Sequence, residues 1–195
     1  MIRRLLASVC CLSLLASGAA AEDPLPAPFP DGVSLGHRLC ETIVNGPGAG
    51  KQRSLICDLA GRPAALIYVR DLDPAVEKLL KKLDANAQWG KEQKMGLACV
   101  LLSMKDDDKK KLEDLDARLK LQRTTLAMHG PLDDGIYFGT NPRGHRLPAD
   151  AAVTVVVFQK LKVQSSFAFR KGELTDEKIT ILGNALTRLL PAMKI

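Results

Sequence analysis

Aromatic side chains are scarce, at 4% of the 195 residues. Proteins that read nucleic acid by stacking need aromatics interleaved with a basic stripe, and neither feature is present. The formal charge of +6 is modest, and it drops to +4 if Arg3 and Arg4 leave with an N-terminal signal. The run Lys109-Lys110-Lys111 directly follows Asp106-Asp107-Asp108, so the two neutralise each other and read as a solvated helix start. Nucleic acid is therefore excluded as a partner. Long apolar runs are also missing. The stretch Leu5 to Leu15 falls short of the ~20 residues that cross a bilayer, which excludes a stable transmembrane helix there. Cysteine is limited to five positions, two of them, Cys10 and Cys11, inside that N-terminal stretch.

What is present at the N-terminus has the order of a cleavable export signal. Arg3 and Arg4 precede the apolar run, and Ala16-Ser17-Gly18-Ala19-Ala20-Ala21 supplies the small-residue cleavage region. Cleavage is expected after Ala21. Cys10 and Cys11 lack the small preceding residue and the longer upstream run of a lipoprotein. Residues 1–21 are thus read as a signal, 22–35 as an extended proline-rich linker, and 36–195 as one domain of ample size for a core. The linker reading rests on four prolines and three acids in Glu22–Gly32. Export ends in a periplasm or outside the cell; the sequence does not choose.

From Gly36 onward strand-like and helix-like periods alternate. Cys40–Val44 and Leu55–Leu59 are short strand candidates around the turn-rich Asn45–Gly50. Ala64–Val69 and Leu97–Leu102 are continuous apolar runs, suited to strands buried on both faces. Asp73-Pro74 opens a helix whose stripe is Val76, Leu79, Leu80, Leu83 and Ala87. A second helix carries Leu112, Leu115 and Leu119 on one face, behind acids that suit its positive end. Thr125–Met128 is a third, weaker strand. Val153–Phe158 and Val163–Phe169 are linked so briefly that they must form an antiparallel hairpin. Thr175 then caps a last helix, with Leu174 placed to staple onto Ile179, and Pro191 ends it.

A βαβ half joined to a ββα half, closing on a hairpin and a helix, resembles the thioredoxin-like fold over about residues 64–190. The early strands and the extra strand at Thr125 are similar to its peroxiredoxin and exported-thioredoxin branches. The resemblance implies an α/β, three-layer architecture, with a central mixed sheet and helices on both faces. It also implies a nucleophilic cysteine just after the first core strand, where a helix N-terminus lowers the thiol pKa. Here that place reads Val69-Arg70-Asp71-Leu72-Asp73-Pro74, without sulfur. The family's cis-proline ahead of the hairpin would fall at Ala152 or Val153, and the nearest proline is Pro148. The usual dithiol exchange therefore does not carry over.

Exported relatives with a C-x-x-C before the first core strand would place its first member at Ser54 and its second at Cys57. Three readings of Cys40 and Cys57 stay open. They form a structural bridge, which over a loop of about 16 residues contributes roughly 3 kcal/mol; they are two unbridged buried thiols; or they are an exchange-active pair. Cys99, inside an apolar strand, is read as a small core residue. Arg70, Asp71 and Asp73 cluster at the lip where the family keeps its site, either as local ion pairs and caps or as a recognition patch.

Other chemistry finds little support. In Gly46–Lys51 the first glycine is one position too close for a phosphate loop, and Gln52 stands where Ser or Thr must hold magnesium. His37, His129 and His145 lack ligand partners at zinc-site spacing. No cofactor and no metal are expected, and no nucleophile–base pair suggests a hydrolase or transferase. The leading expectation is an exported binding domain with a protein partner. The rival is an atypical thiol-disulfide oxidoreductase or peroxiredoxin-like protein using Cys57 with Cys40.

Overall fold

A computed structural model describes residues 24–36, 40–89, 95–130 and 147–189. The signal region, His37, His145 and Pro191 lie outside the described residues. The chain forms β1 (Glu41–Ile43), β2 (Gln52–Arg53), α1 (Leu55–Leu59), β3 (Ala64–Val69), α2 (Pro74–Trp89), β4 (Gly96–Leu102), α3 (Asp106–Leu119), β5 (Thr124–His129), β6 (Val153–Gln159), β7 (Lys162–Phe169) and α4 (Asp176–Thr187), with a 3-10 turn at Gly46–Gly48.

These strands make one mixed sheet in the order β2-β1-β5-β4-β3-β6-β7. β3, β4 and β5 run parallel, as two crossovers of the same hand require. β6 and β7 form the antiparallel hairpin, and β6 pairs antiparallel with β3. All six residues of β3 are buried, because both faces of the sheet are covered. Ala65, Ile67 and Val69 face a core shared with Leu79, Leu83, Leu112, Leu115 and Leu182, so α2, α3 and α4 cover this face. Ala64, Leu66 and Tyr68 face a second core built from α1 and the segment ahead of β1. Each large aliphatic side chain buried this fully contributes about 1.5–3 kcal/mol.

Local signals set the helix ends. Asp73 Oδ1 accepts from Val76 N at 2.8 Å, and Thr175 Oγ1 accepts from Lys178 N, so both predicted caps form. Leu174 and Ile179 are both buried in the same core, as the staple requires.

Two expectations are corrected. Leu55–Leu59 is a helix, not a strand: Ser54 caps it, and Leu55, Ile56 and Leu59 bury one helical face. A five-residue apolar run fits either period, and here the cap decides. The proline-rich segment is also more than a linker. Phe29 is fully buried, and its backbone N–H and carbonyl both bond Ser166 Oγ, at 2.9 and 2.8 Å. Further along, Gly32 N donates to Val163 O and Leu35 N to Leu161 O, each at 2.8 Å, so the segment borders β7.

Entry into β5 depends on a buried carboxylate. Asp84, on α2, is 4% exposed. Its Oδ1 accepts from Arg123 N, Thr124 N and Thr124 Oγ1 at 2.8–2.9 Å, and Oδ2 accepts from Gln122 N at 3.1 Å. Asp84→Ala would leave the two Thr124 donors buried and unmet and release the backbone N–H groups of Gln122 and Arg123. It is expected to cost about 2–4 kcal/mol in urea unfolding, whereas a loss under ~0.5 kcal/mol would show the anchor to be dispensable.

Candidate functional site

Three parallel strands deliver the chain to one end of the sheet, and there β3 hands over to α2. Val69 is followed by Arg70, whose backbone N donates to Ala152 O at 3.0 Å, extending the β3–β6 ladder by one rung. The Arg70 side chain then crosses the gap between the two segments. Its Nε donates to Ala151 O at 3.0 Å and its Nη2 to Pro148 O at 3.5 Å. Asp71 Oδ1 accepts from Leu72 N at 2.9 Å, and Asp71 lies 3.6 Å from Lys171 Nζ on the turn after β7. Asp73 is committed to its cap. The structure therefore brings Arg70, Asp71 and Asp73 together at one lip, and gives each a local partner.

The lip is rigid on its β6 side, where Ala152 N donates to Phe169 O at 2.8 Å and Ala151 N to Pro148 O at 3.2 Å. Arg170, at the end of β7, pairs with Asp150 and Glu173. No peptide bond among the described residues is cis.

Cys40 and Cys57 are placed elsewhere. Cys40 immediately precedes β1 and Cys57 sits on α1, and both are exposed. Their segments meet through a residue the sequence reading passed over. Glu41 is fully buried, and its Oε2 accepts from Leu55 N at 3.1 Å, which ties β1 to the start of α1. Glu41 Oε1 is buried with no hydrogen-bond partner among the described residues. Burial is the main reason its carboxyl is held above the ordinary carboxylate range; the Leu55 N–H and the charge of His129 oppose that rise, and Asp58 adds to it. Tyr68, buried on the same face, is pushed well above the usual phenol range by burial and then by the Glu41 charge. The signal for this cluster was present in the sequence: in a strand, Glu41 must share a face with Ile43.

Cys99 lies in β4, fully buried, and burial pushes its thiol up to about 12. His129 ends β5, half-buried, with Nδ1 3.0 Å from Gly130 O. Among the described residues no three His, Cys, Asp or Glu side chains cluster to hold a metal ion.

Because the folded state holds the Glu41 proton more tightly than the unfolded chain, neutral Glu41 contributes fully below pH ~4.5, its ordinary value. That contribution is lost as pH rises through the raised value. Glu41→Gln keeps an acceptor for Leu55 N–H and removes the titration. In urea unfolding from pH 4 to 8, the stability of the variant relative to the parent is expected to increase with pH and then level off. Parallel curves would show that Glu41 does not titrate above its unfolded value.

The comparisons with known proteins come from shape alone. No family model matches the chain, and no curated protein matches it. Among solved structures, reduced Prx3 from Vibrio vulnificus in complex with H2O2 is similar, with a TM-score of 0.56 and 11% identity over 80% of this chain and 99% of that one. A peroxiredoxin-like protein from Aquifex aeolicus gives 0.53 and 16%, over 83% and 88%. A secreted Mycobacterium tuberculosis disulfide oxidoreductase homologous to E. coli DsbE gives 0.53 and 12%, over 78% and 96%. With the strand order and the closing hairpin and helix, these place the chain in the thioredoxin-like fold, as the sequence resemblance implied.

Proposed function

We propose that this chain is an exported thioredoxin-like domain that acts by binding a protein partner, without conventional thiol catalysis. The observation that supports this reading is the lip at the end of β3. Thiol exchange needs a thiolate at the tip of the helix and open backbone opposite it. At this tip stand two aspartates, one committed as the helix cap, and Arg70 spans from β3 to the carbonyls of Ala151 and Pro148. Carboxylates have no redox couple to offer, and the arginine fills the space between the two segments. Asp71 and Lys171, at 65% and 78% side-chain exposure, give the lip exposed charge of both signs with which to meet a protein surface.

Export is part of the proposal. It is motivated by Arg3, Arg4, the apolar run and the small residues up to Ala21, and no helix among the described residues is long and apolar enough to cross a membrane. N-terminal sequencing of the mature chain is expected to begin at Glu22; retention of Met1 would remove the export reading.

One observation favours a second reading, an exchange-active Cys57 with Cys40. Both sulfurs are exposed, on segments joined by the Glu41–Leu55 bond. Insulin reduction and peroxide consumption, run on the parent and on Cys57→Ser, separate the two. Binding without catalysis predicts rates at the uncatalysed background for both chains. Turnover well above background that Cys57→Ser abolishes would transfer the function to the thiols. Titration of native and denatured protein gives a companion result: Cys99 is expected to react only after denaturation, since its thiol is buried and pushed up to about 12.

A further inference from the structure

At the opposite end of the parallel strands from the lip, the N-terminal end of β5 borders a cavity of about 450 Å³. This lies within the range of small-molecule sites. Its walls come from the end of β1 and the glycine-rich turn Gly46–Gly48, from Arg53 and α1, from the β3 entry at Arg62, from Asp116 on α3, and from residues 121–125. The floor is apolar, from Ile43, Leu55, Leu59 and Leu121. Three guanidinium groups line it: Arg53, Arg62 and Arg123.

The charges there do not cancel. Two aspartates share the lining, Asp58 and Asp116. Asp58 Oδ1 is taken by Arg53 at 2.8 Å. Asp116 Oδ1 accepts from Asn45 Nδ2 at 3.1 Å, and Asn45 is itself fixed by accepting from Leu126 N at 2.7 Å. Arg62 spends one N–H on the backbone carbonyl of Asp58, at 3.3 Å. Among the described residues no carboxylate lies within ion-pair distance of Arg62 or Arg123. The cavity therefore carries three guanidinium groups against two carboxylates above an apolar floor, and neither Arg62 nor Arg123 is ion-paired among the described residues.

The fold holds the Arg62 side chain and the backbone of Arg123. Arg62 lies close against the start of β4: a Cβ at Gly96 would come 3.0 Å from Arg62 Nε and would meet Leu59 Cδ2. The backbone that carries Arg123 is pinned by Asp84 from below. The turn itself offers little to an anion, because Ala49 N, Gly50 N and Lys51 N are consumed by Gly46 O, Ile43 O and Gly48 O. Recognition would fall to the arginine side chains, whose planar forks match carboxylate and phosphate oxygens.

We infer that this cavity binds a small organic anion, with a carboxylate or phosphate head on Arg62 and Arg123 and an apolar body on Leu55, Leu59 and Leu121. The site is independent of the lip and of both readings of the cysteines.

Calorimetric titration of the full domain with hexanoate, hexyl phosphate, 1-hexanol and inorganic phosphate tests it. Hexanoate or hexyl phosphate is expected to saturate, and the stronger of the two identifies the head group. 1-Hexanol and inorganic phosphate are expected to bind at least roughly tenfold more weakly, since each lacks one half of the recognition. Arg62→Gln and Arg123→Gln should each weaken binding by about tenfold, and Arg62→Lys by less, because the charge survives without the fork. Lys81→Gln, on the exposed side of α2, should leave it unchanged. Arg123 is exposed, so its variant supplies a folded test even if Arg62→Gln proves unstable. Failure of both anions to saturate, equal binding of 1-hexanol, or unchanged affinity in Arg123→Gln would each overturn the assignment.

Discussion

The structure depends on β3. It pairs parallel with β4 on one side and antiparallel with β6 on the other, and every residue of it is buried. Its alternating side chains join both cores, so the three helices on one face and the α1 layer on the other are fixed relative to it. Burial on both faces forces a continuous apolar run, and polar chemistry can appear only where the strand ends. Whatever this chain does at the end of β3 is therefore decided in the four residues from Arg70 to Asp73. Those residues supply one guanidinium and two carboxylates, and the guanidinium is used to tie β3 to the segment ahead of β6.

Buried charge is handled in two contrasting ways. Asp84 receives four hydrogen bonds and organises the entry to β5. Among the described residues Glu41 accepts from Leu55 N at Oε2 and has no partner at Oε1, so burial wins and the proton is retained more tightly. The first carboxylate acts as an anchor for backbone; the second is the less satisfied member of the interior, next to Tyr68 and His129 and between the segments that carry Cys40 and Cys57. Any conformational sensitivity of the β1–α1 corner would start from that difference.

Much of the fold was legible because its signals are local. Ala64–Val69 and Leu97–Leu102 are apolar runs bounded by charges and turns, and Asp73-Pro74 and Thr175 are caps that act within one turn of their own position. Leu55–Leu59 was misread because five residues do not distinguish periods of 2 and 3.6, and Phe29 because the prolines around it suggest a segment that packs against nothing. The lip was legible as a cluster, since Arg70, Asp71 and Asp73 are adjacent in sequence. The cavity was not. Arg53, Arg62 and Arg123 reach it from three separate stretches, and only the pairing of β1 with β5 and the crossover through β4 bring those stretches to one wall. The glycine-rich turn lacks the spacing of a phosphate loop, and it borders the cavity through its position beside Arg53.

The claim at the centre of this account is that the chain works without sulfur chemistry. Replacing the native copy in its source cell with a chain carrying Cys40→Ser and Cys57→Ser tests that claim most directly, because it leaves the fold, the lip and the buried Cys99 in place. The account predicts that the doubly substituted chain, at normal abundance, reverses whatever phenotype deletion of the protein produces. A folded, normally abundant double variant that behaves like the deletion would contradict it.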